Sequence, residues 1–280
     1  MSSLDDGQAL DGTEWPSLVA DHRLRPLGPD KGRYSRNMLV PEVGELGQRR
    51  INAARVVLVG AGGLGSPVAL YLAASGVGTL GIVDPDTVAL SNLQRQVIHT
   101  VRSVGRMKVD SAREAITALN PGVQVRTRAV ELDADNAVRI LEGWDLVVDA
   151  TDSVQARYVL NDATARLGVP LVHGAVQGTV GQVTVFDARR GPCYRCLQPE
   201  SPGRGGEVED EPVGVLGVAP GVIGVLQATE ALKLIVGGGR PLIGQLLVIE
   251  AWQGRFRRIE LRRRPGCPVC SRSGTRAQAD

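Results

Sequence analysis

Apolar segments in the first two thirds of the chain are of two kinds, short continuous runs and longer stretches with helical spacing. The runs are typical of buried parallel strands and lie at residues 54–62, 79–86, 144–152 and 169–176. Helical spacing occurs at residues 66–78, 105–122, 134–143 and 153–168, and residues 123–130 alternate like a strand with one wet face. Alternation of strands and helices predicts an α/β fold, with a Rossmann-like, mainly parallel sheet and helices on both faces.

The pattern changes in the last third of the chain. Residues 179–191 predict the start of an antiparallel addition, and residues 221–238 predict an apolar helix packed under the sheet. Residues 245–251 and 254–261 predict a closing hairpin of antiparallel strands. The second of these strands is rich in arginine, and we expect Phe256, Ile259 and Leu261 to face inward.

Composition sets the domain boundaries. Residues 1–30 lack periodicity and predict a mobile N-terminal arm, followed by one domain over residues 31–270. Within that domain, residues 198–214 are rich in Gly, Pro and acids and predict a mobile crossover loop. We expect residues 271–280 to be a disordered tail.

Charge and hydropathy exclude some partners. The 32 basic and 30 acidic residues leave a net charge of +2, and aromatic residues make up only 3%, so the composition does not favour nucleic acid as the main partner. No run of eighteen apolar residues occurs, so the sequence predicts no membrane span. The acidic N-terminus does not resemble a signal peptide. We therefore expect a cytoplasmic protein with reduced thiols.

A glycine loop follows the first predicted strand and opens the first predicted helix. Gly60, Gly62 and Gly65 satisfy the G-x-G-x-x-G pattern, which lets the backbone approach a phosphate at a helix N-terminus. Asp84 ends the next strand, where dinucleotide-binding proteins carry a ribose-binding acid. An NAD(P)-dependent oxidoreductase is therefore one candidate.

A second polar block favours ATP instead. Residues 91–96, SNLQRQ, contain Arg95, and Lys108 lies in the first turn of a later helix. A triphosphate undergoing displacement needs several cations, whereas a dinucleotide is held largely by backbone groups. Asp152 ends another strand, and a carboxylate facing a cationic phosphate pocket is best explained by Mg²⁺.

All four cysteines fall into two C-x-x-C pairs, Cys193 with Cys196 and Cys267 with Cys270. In a reducing compartment two such pairs predict a tetrahedral Cys₄ zinc site. Four thiolates fill the coordination shell, so the zinc would be structural. Disulfides are the alternative.

These motifs, in this order, resemble those of the MoeB/ThiF adenylyltransferases, bacterial relatives of the ubiquitin-activating enzymes. The resemblance covers about residues 31–270 and includes RYSRN (33–37), VGAGGLGSPVALYLAASGVG (59–78), DPDTVALSNLQRQ (84–96), GRMKVDSA (105–112), DATDS (149–153), CYRC (193–196), GVIGVLQATEALK (221–233) and CPVC (267–270). It implies adenylation of the C-terminal glycine of a small ubiquitin-like sulfur carrier protein with a Gly-Gly terminus, using ATP and Mg²⁺ and releasing pyrophosphate.

The resemblance also implies roles for individual residues. Gly63 would lie at the phosphate loop, Asp84 would hold the ribose, and Asp152 would position magnesium. Arg36 would reach the active site of a partner subunit, which implies a homodimer. The catalytic set expected on this basis is Arg36, Arg95, Lys108 and Asp152, and the nucleotide-contact set is Gly60, Gly62, Gly63, Gly65, Asp84, Asp86, Ser91, Asn92, Gln94, Arg95, Lys108, Asp152 and Ser153.

The sequence departs from the family in three respects. Several relatives carry a further cysteine in the crossover loop, but here none is left beyond the four in the pairs. No rhodanese-like domain follows residue 270, and Ser153 stands where many relatives have Asn. We therefore expect adenylation on this chain and sulfur delivery by a separate sulfurtransferase. The same chemistry on a tRNA base or a peptide stays open, and the sequence does not name the pathway.

Overall fold

The computed structural model describes residues 15–199 and 214–271. The predicted crossover loop at residues 198–214 falls almost wholly outside the described residues, as do the predicted tail and the first half of the predicted N-terminal arm. The second half of that arm is docked against the domain, because the Leu18 amide donates to the Leu234 carbonyl at 3.1 Å. Farther along, Arg23 forms an ion pair with Asp145 at 2.5 Å.

The described residues form one mixed sheet of eight strands in the order β3-β2-β1-β4-β5-β6-β7-β8. The first five strands pair in parallel, and β6, β7 and β8 add antiparallel strands at one edge. The strands are β1 (Arg55–Val59), β2 (Thr79–Val83), β3 (Gln124–Arg128), β4 (Leu146–Asp149), β5 (Leu171–Gln177), β6 (Val180–Phe186), β7 (Gln245–Glu250) and β8 (Arg255–Glu260). The predicted fold class is confirmed.

Helices cover both faces of this sheet. The α-helices are α1 (Ser35–Met38), α2 (Gly44–Ala53), α3 (Gly65–Ala74), α4 (Lys108–Leu119), α5 (Ala137–Leu141), α6 (Val154–Leu167), α7 (Tyr194–Leu197) and α8 (Val218–Val236). Short 3-10 helices lie at Asp21–Arg23, Pro29–Tyr34, Leu90–Asn92, Val101–Ser103 and Ala251–Gln253.

Two hydrophobic cores result from the alternation of side chains along the strands. In β1, Val56 and Leu58 pack toward α2, α3, α4 and α8, whereas Val57 and Val59 pack toward α5 and α6. Successive strand residues point to opposite faces, so a continuous apolar run supplies both cores. This explains why the central strands show no polar alternation in the sequence.

The helix α8 is long and apolar enough to cross a membrane by length and composition alone. In this fold it packs against β5, β6 and α3, and 56% of its most apolar window is buried inside the protein. Two of its buried polar side chains bond to other parts of the fold, since the Gln227 amide group donates to the Asp149 carbonyl at 2.6 Å and Glu230 accepts from the Leu242 amide at 2.8 Å. We therefore describe α8 as a core helix, as the sequence predicts.

The second strand of the C-terminal hairpin differs from expectation. β7 and β8 pair as predicted, but every residue of β8 is exposed, and Phe256 and Ile259 are 61% and 45% exposed. The inward orientation predicted for these two side chains is wrong, because β8 is the edge strand and no element within residues 15–199 and 214–271 covers either of its faces. Leu261, just beyond the strand, packs against the core.

Candidate active site

A cavity of about 470 Å³ lies at the carboxyl ends of the parallel strands. It opens between β1 and β4, where the strand order reverses, and open α/β sheets bind ligands at this point. Nine of the residues predicted to contact nucleotide line it: Gly60, Gly62, Gly63, Asp84, Asp86, Arg95, Lys108, Asp152 and Ser153. The structure therefore brings together motifs that are far apart in the sequence.

The glycine loop makes the turn from β1 into α3. Gly60 has φ +99°, and a Cβ there would lie 2.5 Å from the Ala150 carbonyl oxygen of the neighbouring strand end. Gly65 does not line the cavity, and a Cβ at this position would overlap the Gly60 carbonyl oxygen. Gly65 instead allows the first turn of α3 to pack closely against the end of β1. That packing aims the amino end of a ten-residue helix at the cavity, as phosphate binding requires.

We expect Gly65→Ala to destabilise the protein by about 2 kcal/mol, because the added methyl group forces α3 away from β1. ATP affinity should fall with it. Gly221→Ala is the matched control, since Gly221 lies in α8 and a Cβ there meets nothing within 4 Å. The control should be neutral or slightly stabilising in thermal unfolding. Equal melting temperatures for the two variants would contradict the assigned packing role.

Asp84 is 5% exposed, and its carboxylate braces the glycine loop. One oxygen accepts from the Ala61 amide at 2.7 Å and the other from the Asp86 amide at 2.9 Å. Burial raises the pKa of this carboxyl group above its ordinary value, and the two amides and the Lys108 ammonium oppose that shift. Each oxygen keeps a lone pair, so Asp84 can accept a ribose hydroxyl while it holds the loop.

Lys108 is the first residue of α4, and its ammonium lies on the cavity wall. The Nζ atom is 2.7 Å from Asp86 Oδ2 and 4.0 Å from Asp84 Oδ1, and the residue is 7% exposed. Asp86 is largely exposed and is therefore a partner that an incoming phosphate can replace.

Arg95 and Gln96 close the other side of the glycine loop. The Arg95 guanidinium has one hydrogen bond, to the Ser91 carbonyl oxygen at 3.3 Å, and no acidic partner in the described chain. Gln96 is 4% exposed, and its Oε1 has no hydrogen-bond partner among the described residues. A buried polar atom left without a partner next to a cavity is typical of a ligand-binding position. The sequence motif contains Gln96, but the pattern alone does not show that its side chain turns inward.

Other predicted contacts lie outside the cavity. Ser91, Asn92 and Gln94 do not line it, and Asn92 Oδ1 accepts from the Ala89 amide at 3.1 Å, which stabilises the turn before Arg95. Arg36 is exposed on α1 and is also absent from the cavity wall. The motif interpretation missed the part of the wall formed by Val130, Glu131 and Leu132, which belong to none of the motifs.

Asp152 and Ser153 lie where β4 gives way to α6. Asp152 is exposed, lines the cavity and has no ion-pair or hydrogen-bond partner among the described residues. Ser153 caps α6, because its hydroxyl accepts from the Ala156 amide at 3.3 Å. A carboxylate held at a helix start and facing a cationic cavity is suited to a hydrated divalent cation.

A buried network fixes the turn that carries Asp152. Asp149 and His173 are both fully buried, and Asp149 Oδ2 lies 2.7 Å from His173 Nδ1. The other oxygen of Asp149 accepts from the Thr151 amide at 3.0 Å and the Thr151 hydroxyl at 2.7 Å. Burial opposes ionisation of Asp149, but its bond to His173 and the nearby charges hold its pKa below the ordinary value. His173 thus holds the Asp149 carboxylate in place.

The four cysteines form one cluster whose sulfur atoms all lie within 4.8 Å of one another. The Sγ atoms of Cys193 and Cys267 are 3.6 Å apart, and those of Cys196 and Cys270 are 3.4 Å apart. A tetrahedral zinc with Zn–S bonds of about 2.3 Å spaces its sulfurs by about 3.8 Å. The cluster therefore has the donors and the size that such a metal needs, and the cysteines are free thiols.

Ionisation of these thiols depends on their surroundings. Burial raises the pKa of Cys193 to about 11. Burial also opposes ionisation of Cys267, but the amides of Cys270 and Val269 donate to its sulfur and hold its pKa at about 7. The Arg264 amide donates to Cys196 Sγ at 3.3 Å, which would support a thiolate ligand. One member of the cluster is thus prepared to ionise, and a metal would favour the thiolate form of the rest.

Curated proteins are similar to this chain over most of its length. The sulfur carrier protein adenylyltransferase of Thermus thermophilus is 48% identical over 251 residues, which cover 88% of this chain and 93% of that protein. The adenylyltransferase and sulfurtransferase MOCS3 of Culex quinquefasciatus is 48% identical over 240 residues. That match covers 85% of this chain, which therefore spans only about half (55%) of the relative.

The fold also has solved counterparts. A crystal structure of E. coli MccB with ATP superposes with a TM-score of 0.77 at 23% identity, over 85% of this chain and 74% of that one. At this identity the likeness concerns the fold alone. The model of the ThiF family matches residues 34–269, which include the glycine loop, the residues that line the cavity and the first three cysteines, and the match ends one residue before Cys270. This chain belongs to the ThiF family.

Proposed function

We propose that this protein adenylates the C-terminal glycine carboxylate of a small ubiquitin-like sulfur carrier protein, with release of pyrophosphate. The observation that carries the proposal is the convergence of Arg95, Lys108 and Asp152 around the glycine loop in one cavity. The similarity to a sulfur carrier protein adenylyltransferase over nearly the whole of that relative supports the substrate class.

The chemistry needs electrostatic stabilisation rather than a protein nucleophile. The carrier's carboxylate oxygen attacks the α-phosphorus of ATP, the bond to the bridging oxygen breaks, and pyrophosphate leaves with the electron pair. Negative charge builds on the phosphate oxygens, and the Arg95 and Lys108 cations are placed to stabilise it. The product is an acyl-adenylate whose AMP is a good leaving group for the next step.

Bound ATP would use the cavity from end to end. The amino end of α3 and the glycine loop would take the phosphates, and Asp84 would take the ribose. Lys108 would exchange its contact with the exposed Asp86 for a phosphate oxygen. Asn92, Gln94 and Ser91 would act through the conformation of the turn that presents Arg95, and Gln96 would supply its unpaired Oε1.

Two metals fit the residues present. Asp152 would hold Mg²⁺, which when bound neutralises phosphate charge and makes the pyrophosphate a better leaving group. The four cysteines would hold a structural zinc that ties α7 to the segment after β8. Because the thiols must stay reduced to bind zinc, we place the protein in the cytoplasm.

Sulfur transfer itself would need a separate sulfurtransferase. Every cysteine of the chain belongs to the metal-binding cluster, so no thiol is left to carry a persulfide or a thioester.

The position of Arg36 supports a homodimer. Arg36 is exposed on α1 and outside the cavity of its own chain, and exposed apolar side chains follow it in the sequence at Leu39, Val40 and Leu46. Arginine next to apolar residues is common at protein interfaces, so a second copy docked here would bury this surface and receive Arg36 at its active site.

We expect Arg36→Ala and Arg95→Ala to be inactive separately but to restore about a quarter of wild-type exchange when co-expressed in equal amounts. Half of the dimers would be mixed, and each mixed dimer would contain one intact site. Co-expression of Arg95→Ala with Lys108→Ala serves as the control. Both residues line the cavity of the same chain, so each site in a mixed dimer lacks one of them and no activity should return. No recovery in the first pair would show that Arg36 does not act in trans.

The proposed activity is separable from the alternatives by substrate. ATP-dependent pyrophosphate release should require a carrier with an intact Gly-Gly terminus and stop when the last glycine is removed. An NAD(P)-dependent oxidoreductase would instead change nicotinamide absorbance. Release driven by tRNA or by a short peptide, with no response to any carrier, would retain the chemistry but replace the substrate.

A further inference from the structure

A groove on the sheet face opposite α4 collects four arginines. Arg55 comes from β1, Arg126 and Arg128 from β3, and Arg139 from α5, around a cavity of about 420 Å³. None of the four takes part in an ion pair in the described part of the chain, although many of its other arginines do. This arginine groove is distinct from the nucleotide cavity, whose lining contains none of these residues.

The strand register and a short helix explain why the groove exists. Gly81 pairs with Arg126 on one side and with Val57 on the other, and the Trp144 ring lies where a Gly81 side chain would be, 2.7 Å from the position of its Cβ. The helix α5 has five residues, too few to cover the face of β2 and β3. The small and apolar residues between Trp144 and the edge strand β3 are therefore left uncovered, and they form the floor of the groove.

Ordinary structural roles explain only part of this charge. Cations on an edge strand protect it from pairing with other chains, which accounts for Arg126 and Arg128 on β3. They do not account for Arg55 and Arg139, which reach the same groove from other elements. Among the described residues that line the groove, Glu142 is the one acid. The four arginines therefore repel one another in this concave site unless an anion binds between them.

We propose that the arginine groove binds a compact phosphate group carried by a small molecule. Guanidinium groups contact phosphate oxygens in pairs, and cations that converge from three elements enclose one anion rather than follow an extended backbone. The half-buried indole of Trp144 lies at the same groove and offers a ring surface next to the cations, with the Arg55 guanidinium 5.6 Å from its centroid. A nucleoside phosphate and inorganic pyrophosphate share this chemistry.

Trp144 makes the proposal testable in the full-length protein, because no tryptophan lines the nucleotide cavity. We expect inorganic pyrophosphate or AMP to change tryptophan fluorescence saturably in the wild type and not in Trp144→Phe. Arg126→Gln and Arg139→Gln should each weaken the apparent affinity by about tenfold. Both side chains are exposed, so melting temperatures should stay unchanged. Tighter binding of AMP than of pyrophosphate would identify a nucleotide as the ligand, and the reverse order a free phosphate species.

Arg113→Gln is the matched control. Arg113 lies on α4 beside β3 but on the other face of the sheet, where it contacts Asp110 and Thr127. The Arg113→Gln variant should bind pyrophosphate or AMP with the affinity of the wild type. The Arg95→Ala variant should also keep the change in tryptophan fluorescence. Equal affinities in Arg126→Gln, Arg139→Gln and the wild type would overturn the proposal. So would loss of the signal in Arg95→Ala, or a response to polynucleotide or acidic peptide alone.

Discussion

Arg95→Ala and Asp152→Ala should each reduce carrier-dependent ATP–pyrophosphate exchange by about 100-fold or more while the protein stays folded. Arg95 faces the cavity with a single carbonyl contact and has no acidic partner among the residues that the structure describes, so its charge is available to the phosphates. Asp152 is exposed and has no partner in the described chain, so its removal breaks no contact that stabilises the fold. The loss should therefore be in exchange rather than in stability.

Controls of the same residue types separate the site from general charge effects. Arg166 is exposed in the last turn of α6, at the end away from the cavity, and Asp135 is exposed before α5. Arg166→Ala and Asp135→Ala should keep wild-type exchange. Radioactive pyrophosphate incorporation into ATP measures all four variants, with melting temperatures as the folding check. Exchange in Arg95→Ala within a factor of about three of wild type would contradict the proposed role of this cation.

The second large effect concerns stability. Cys267→Ser should remove the bound metal and destabilise the protein by about 3 kcal/mol, which lowers the melting temperature by roughly 6–12 °C for a domain of this size. The cause is that the cluster joins α7 to the chain after β8, so the C-terminal hairpin loses its attachment. A strong chelator should shift the wild type in the same direction.

Pro268→Ala provides the comparison for this variant. Pro268 lies between the two cysteines of the second pair and is exposed, so the change leaves all four ligands in place. Elemental analysis should find one zinc per chain in the wild type and in Pro268→Ala, and none in Cys267→Ser. Unchanged metal content and melting temperature in Cys267→Ser would remove the basis of the zinc assignment.

Much of the fold is predictable from the chain because local pattern and global architecture agree. The apolar runs around β1 and β4 and the G-x-G-x-x-G loop each allow few structures, and together they predict the parallel sheet and the position of its cavity. The motif containing Arg95 and the helix start at Lys108 then place charges at that cavity. The expected convergence of these two cations is what the structure shows.

Features that depend on strand register or on the packing of distant segments were not predictable. The pair of Asp149 and His173 arises because β4 and β5 are neighbours with these two residues in register. The helix α2 has a polar composition with few apolar residues, so periodicity did not reveal it. The prediction that Phe256 and Ile259 face inward was wrong, because alternation indicates a strand but does not indicate whether another layer covers that strand.

The arginine groove is a further case. The sequence shows arginines in alternation on β3, but their meaning depends on the shortness of α5 and on the ring of Trp144 above Gly81. Neither is visible in a pattern of hydrophobic and polar positions.

The most direct test of the central claim is the intact mass of a Gly-Gly-terminated carrier protein incubated with this enzyme, ATP and Mg²⁺, with quenching at low pH. The proposed adenylation predicts that the carrier gains the mass of one AMP on its C-terminal carboxylate and that a carrier lacking the last glycine does not. An unmodified carrier, from every candidate supplied by the organism and under conditions where ATP binds the cavity, would contradict it.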